Sequence, residues 1–140
     1  RVDGDTGAIE VIRLVAVHDI GRVLNPPAAE GQVEGSAVQA MGFTLLEDLA
    51  KQEGKLCSAS LADYHQPTSL DLPNVEVVFV EGALGPAPYG GKGIGEVPVV
   101  PVAAAIANAL ADAVGIRMRD LPLTPEKVWL AIQKKEEAGK

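Results

Sequence analysis

Seventeen residues, Gly82 to Pro98, carry six glycines and three prolines. No helix or strand survives that composition, because glycine loses the most backbone freedom on ordering and proline removes a donor and locks φ. Whatever this chain folds into must therefore place a long irregular loop between ordered elements. Those elements are readable on both sides. Val75-Glu76-Val77-Val78-Phe79-Val80 is dense in β-branched and aromatic residues and reads as a strand. Val102 to Val114 is a nearly all-apolar, alanine-rich helix ended by Gly115, and an all-round apolar helix is expected to be buried.

The rest of the chain supplies the framework. Val2 to Val17 reads as a hairpin, a short arm and the strand Ile9 to Val17 joined by the turn Gly4-Asp5-Thr6-Gly7. His18 to Pro27 follows as a turn-rich connection, since Asn25-Pro26-Pro27 disfavours the helical region. From Ala28 or Ala29 to about Leu49, apolar or small residues recur at Val33, Ala37, Met41, Leu45 and Leu49, a spacing of four that predicts one buried helical face. That helix holds Gly31, Gly35 and Gly42, each costing about 1 kcal/mol against alanine, so a close backbone or ligand is expected beside them. Lys51 to Lys55 reads as a polar turn, Leu56 to Leu61 as a short strand, and Thr124 with Pro125 opens a last helix to about Lys135. The order predicts an α+β fold, a two-layer mixed β-sheet with packed helices, in a single domain over 1–140.

Composition excludes several functions. The formal net charge is −7 and the only basic cluster, Lys134-Lys135, adjoins Glu136-Glu137, which argues against a nucleic-acid partner. The lone Cys57 can form neither an intrachain disulfide nor an iron–sulfur site, and reads as a small buried or half-buried hydrophobe. No apolar run is expected to reach the roughly 20 residues of a membrane span. His18 and His65 are too poorly accompanied for a zinc site. Asp19 and Asn25 read as turn organisers and Trp129 as a core or interface anchor.

Chemistry concentrates in Tyr89-Gly90-Gly91-Lys92-Gly93-Ile94-Gly95-Glu96. Glycines let a backbone approach a bulky ligand and turn its N–H groups toward an anion. The loop is neither a P-loop, since Lys92 is followed by Gly93, nor a dinucleotide fingerprint, since Gly91, Gly93 and Gly95 are evenly spaced. On these residues alone, a ligand-contacting loop and a plain connection both remain open. Glu96 is open in the same way: a partly desolvated carboxylate with a raised pKa would be a general base, while a helix-stabilising Glu would need no chemistry.

The segments Gly91 to Glu96, Glu30-Gly31-Gln32-Val33-Glu34-Gly35, His18 to Pro26, Ala62-Asp63-Tyr64 with Pro67-Thr68, and Leu121 to Lys127 together resemble, in order, the C-terminal part of the molybdenum-binding large subunit of the xanthine dehydrogenase and aldehyde oxidase family. The resemblance implies the family's second molybdenum-cofactor-binding domain, of which 1–140 would be the C-terminal portion. It implies a molybdenum–pterin cofactor, as molybdopterin or its cytosine dinucleotide form, contacted by Gln32, Lys92, Gly93, Ile94 and Gly95, with no protein ligand to the metal. Glu96 would take the proton from a molybdenum-bound hydroxyl during hydroxylation of an aldehyde or N-heterocycle, such as a purine, by water. Val97 stands where the family often has proline. The implied partners are the rest of the large subunit, an iron–sulfur subunit, where present a flavin subunit, and a small-molecule substrate, and the expected location is cytoplasmic, with the periplasm as the alternative. A non-catalytic scaffold, a binder of another phosphorylated ligand, and an inactive fragment are the alternatives.

Overall fold

The computed structural model describes residues 1–139. The chain is α+β. Strand β1 (Arg13–His18) pairs in parallel with β4 (Asn74–Phe79), in register from Arg13 opposite Asn74 to His18 opposite Phe79. A parallel pair needs a long crossover. The chain supplies it as helix α1 (Pro26–Leu45) and a separate antiparallel hairpin of β2 (Lys51–Gln52) and β3 (Lys55–Leu56). Glu53 and Gly54 both take positive φ, the mirror-image turn that suits the right-handed twist of a two-residue hairpin. The expected polar turn is therefore a hairpin, and no strand continues to Leu61.

Helix α1 begins earlier than its pattern indicated. Asn25 caps it by accepting from the Ala28 N–H at 3.3 Å, and Pro26 and Pro27 occupy its first turn. Proline costs nothing there, because the N–H it lacks would have had no intrahelical acceptor. The helix stops at Leu45, where the N–H groups of Leu46 and Glu47 both turn onto the Gly42 carbonyl. Leu49 consequently lies outside it, exposed.

Met41 and Leu45 of α1 meet Val102, Ile106 and Leu110 of α2 (Val102–Val114) and Val128 and Ile132 of α3 (Pro125–Ala138), with Leu123 inserted between the helices. Helix α2 is not buried all round: Ala104, Ala105, Ala109 and Ala113 face outward. Alanine raises the apolar count yet stabilises a solvent-facing helix, so composition overstated the burial. The 18 residues Val97–Val114, mean hydropathy 1.8, do meet the length and composition of a membrane span, contrary to the reading above. The backbone divides them into a 3-10 turn at Val97–Val99 and the 13-residue α2, which extends only about 20 Å.

The expected N-terminal hairpin reduces to one bridge between Val2 and Ile9. Its turn is held by Asp3, whose carboxylate accepts from the Asp5 and Thr6 N–H groups, and Gly7 takes positive φ against α3, where a Cβ would lie 2.1 Å from the Pro125 carbonyl. Cys57 is exposed rather than buried. Trp129 is partly exposed while its neighbour Val128 takes the core position. The β1–β4 pair leaves Val15, Val17 and Val78 open, with Val80 just beyond β4 open as well, although parallel strands are ordinarily covered on both faces.

Candidate functional site

The glycine-rich loop folds against the connection that follows β1. The Gly90 carbonyl accepts from Gly85 at 2.8 Å and from Arg22 at 3.0 Å, Gly21 bridges to Gly91, and the Lys92 N–H donates to Ile20 at 2.7 Å. Gly21 and Gly90 both need positive φ, and a Cβ on Gly21 would lie 2.3 Å from the Gly90 carbonyl. Tyr89 also adopts positive φ in the single 3-10 turn at Pro88–Gly90. The Lys92 ammonium donates to Asp19 at 2.7 Å, and the other Asp19 oxygen accepts from the Gly21 N–H at 2.9 Å. The hydrogen bond from Lys92, followed by that from Gly21, holds the Asp19 carboxyl below the ordinary carboxylate range. His18, the residue before Asp19, is half-buried, and its Nε2 has no hydrogen-bond partner among the described residues.

Beyond Lys92 the loop changes character. The N–H groups of Gly93, Ile94, Gly95 and Glu96 have no acceptor among the described residues. One bracket holds this stretch from the other side: Gln32 Nε2 on α1 donates to the Gly95 carbonyl at 2.7 Å, with Ser36 Oγ at 3.5 Å. The structure thus brings together Gln32, Gly95 and, one residue on, Glu96. Sequence reading missed Ser36, four residues from Gln32 on the same helix face, and underrated Asp19.

Glu96 is exposed, so these residues do not supply the desolvation expected of it. It stands at the N-terminal cap position of the 3-10 turn Val97–Val99, but its side chain makes no hydrogen bond to that turn. The largest groove, about 530 Å³, runs along α1 beside Gly35, Phe43 and Tyr64, and others of about 430 Å³ and 380 Å³ lie between residues 9–15 and the alanine face of α2 and beside Met41 and Leu70; none is lined by Gln32 or Glu96. The Gln32–Glu96 region is an open face, not a closed pocket. No group of three His, Cys, Asp or Glu side chains suited to a metal ion forms among the described residues.

Four glycines near Gln32 and Glu96 lack the packing and backbone reasons that account for Gly7, Gly21, Gly85 and Gly90. A Cβ on Gly31, Gly35, Gly93 or Gly95 would meet no atom within 4 Å, and none of the four has positive φ. Gly42, by contrast, is required by this chain's own packing, since its Cβ would lie 2.8 Å from Pro67. The open glycines, free N–H groups and a Gln amide suit the backbone contact that a large, polar, anionic ligand makes. A molybdenum–pterin group has that character, and its metal would need no ligand from this chain.

Comparison with known proteins identifies the family of the chain. Residues 1–73 match the molybdopterin cofactor-binding domain family. The chain is 42% identical over 123 residues to a putative xanthine dehydrogenase molybdenum-binding subunit of Escherichia coli K12, covering 86% of this chain and 16% of that protein. It is 40% identical over 131 residues to the aldehyde oxidoreductase molybdenum-binding subunit of the same organism, covering 91% and 18%. The crystal structure of quinoline 2-oxidoreductase from Pseudomonas putida 86 superposes with a TM-score of 0.88 at 34% identity, over 95% of this chain and 17% of that one. The chain thus spans about a sixth of the length of these relatives. It belongs to the molybdopterin cofactor-binding domain family, in the molybdenum hydroxylase group of xanthine dehydrogenases and aldehyde oxidoreductases.

Proposed function

We propose that this chain forms one wall of a molybdenum hydroxylase active site, with Glu96 as its general base. The observation that carries the reading is the bond from Gln32 to Gly95 beside Glu96, with Gly93 and Gly95 in the loop and Gly31 and Gly35 on the helix of Gln32 having no packing reason within the chain. Gln32 and the backbone of Gly93, Ile94 and Gly95 would hold the pterin cofactor, with Lys92, whose N–H is taken by Ile20, bordering that stretch. When bound, that cofactor supplies the two-electron redox chemistry, with water as the source of oxygen.

Glu96 would accept, at a carboxylate oxygen, the proton lost by the water-derived oxygen as it attacks an aldehyde or an N-heterocycle such as a purine. General-base catalysis of this kind contributes about 10²- to 10⁴-fold. Desolvation would come from outside these 140 residues, and a docked lobe would also cover the open valines of β1 and β4. The rest of the large subunit, an iron–sulfur subunit and a flavin subunit are the partners this reading calls for.

The test is Glu96→Gln in the enzyme assembled with its partner chains. Turnover should fall by about two orders of magnitude or more, with molybdenum and pterin content unchanged. Wild-type turnover in a loaded variant would remove Glu96 from the mechanism. Wild-type complex purified without molybdenum and pterin would overturn the cofactor site itself.

A further inference from the structure

We infer that Lys92 is a positioning residue, latched to Asp19 to fix where the open half of the loop begins, and is not a ligand to the cofactor's anionic groups. This rests on the cofactor-site reading above. A lysine within a glycine loop invites the opposite assignment, a free cation meeting a phosphate. The structure instead accounts for each part of Lys92 within the chain. Its backbone N–H donates to Ile20 and its ammonium to Asp19, so one short segment, 19–20, holds the residue at both ends.

The stem between them is also built in. Lys92 Cγ lies 3.2 Å from where a Gly21 Cβ would stand and 2.6 Å from where a Gly85 Cβ would stand, so both glycines clear a path for it. The side chain of Lys92 is 31% exposed and that of Asp19 is 42% exposed, a depth at which the pair matters more for geometry than for net stability. Asp19 is itself oriented by the Gly21 N–H.

Two brackets therefore set Glu96. Lys92 on Asp19 fixes one end of the open stretch, and Gly95 on Gln32 fixes the other, three residues later. Releasing either lets the carboxylate wander, and a displacement of about 1 Å at a reacting centre can cost 10²-fold. The anionic ligand is left to the free N–H groups of residues 93–96.

The experiment is a double-mutant cycle in the assembled enzyme with Asp19→Asn, Lys92→Met and both together. The amide introduced by Asp19→Asn keeps an acceptor for the Gly21 N–H, and the thioether introduced by Lys92→Met keeps the apolar stem, so each variant retains the packing. The expected result is a roughly tenfold or greater fall in kcat for each single variant, with KM and molybdenum and pterin content within about twofold. The double variant should be no worse than the worse single, because a shared contact can be lost only once. Hydrogen exchange at residues 90–92, whose N–H groups have acceptors, should quicken alike in all three.

Loss of cofactor in Lys92→Met but not in Asp19→Asn would overturn the inference in favour of a direct ligand. Effects that multiply, or unchanged exchange in either single variant, would overturn it as well. The exchange arm needs no cofactor, so it judges the latch even if wild-type protein proves unloaded, a result that would sink the cofactor reading alone.

Discussion

The two halves of the glycine-rich loop look alike in composition and behave oppositely in the fold. Before Lys92, Gly82, Gly85 and Gly90 are consumed internally: Gly90 takes positive φ, and a Cβ on Gly82 would lie 2.9 Å from Asp19 and one on Gly85 2.0 Å from the Gly91 carbonyl. From Gly93 to Glu96 nothing in the chain approaches the glycines, and the N–H groups are unused. Gly31 and Gly35, across on α1, belong with the second half, while Gly42 on the same helix belongs with the first. A glycine is explained by what comes near it. For the first group the neighbour is this chain; for the second no atom of the chain lies within 4 Å, and the proposed reading supplies the cofactor as the missing neighbour.

The comparison can be broken most forcefully at Gly21. Alanine there would carry both the positive-φ penalty and a clash with the Gly90 carbonyl, so Gly21→Ala should destabilise the fold by about 2–4 kcal/mol in urea unfolding. A change under about 0.5 kcal/mol would mean that the anchored half is not anchored.

The open half should respond with the reverse sign. Gly31→Ala and Gly35→Ala remove a helix-interior glycine without meeting any atom, so each should stabilise this chain by up to about 1 kcal/mol. The same variants should lower molybdenum and pterin content in the assembled enzyme, where the added methyl would meet the ligand. Stabilisation with undiminished cofactor content would remove the reason offered for these glycines.

The smallest effect concerns acid. The Asp19 carboxyl has its folded pKa lowered, so the stability it contributes is present above the unfolded value of about 3.8 and is lost as pH falls through the lower folded value. Amide protection at Gly90 to Lys92 should therefore persist at pH near 3.8, where a free aspartate is half protonated, and collapse only below it. In Asp19→Asn that acid-dependent step should vanish.

Much of the local structure was legible. Thr124 with Pro125 and Gly115 marked helix ends as capping chemistry requires, and the four-residue spacing of Val33, Ala37, Met41 and Leu45 marked the buried face of α1. Asn25-Pro26-Pro27 misled because the signal for leaving a helix is also the signal for entering one: proline is excluded from the interior but welcome in the first turn. Cys57 and the outward alanines of α2 misled because apolar character does not decide exposure.

The sequence by itself determined where no strand or α-helix could form, though not the 3-10 turns at Pro88–Gly90 and Val97–Val99, and also which segments would be helical and, through ordered motifs from His18 to Lys127, the family. It also singled out Gln32 and Glu96, 64 positions apart, without any means of placing them together. Only the tertiary structure decided that β1 and β4 pair in parallel, that Gln32 holds Gly95, and that Lys92 is latched to Asp19, 73 residues away. The physical reason is the range of the interactions. Caps, turns and helical faces are set by atoms a few residues apart and leave a periodic trace. A lysine that meets an aspartate across the fold has the same local sequence as one that waits for a phosphate.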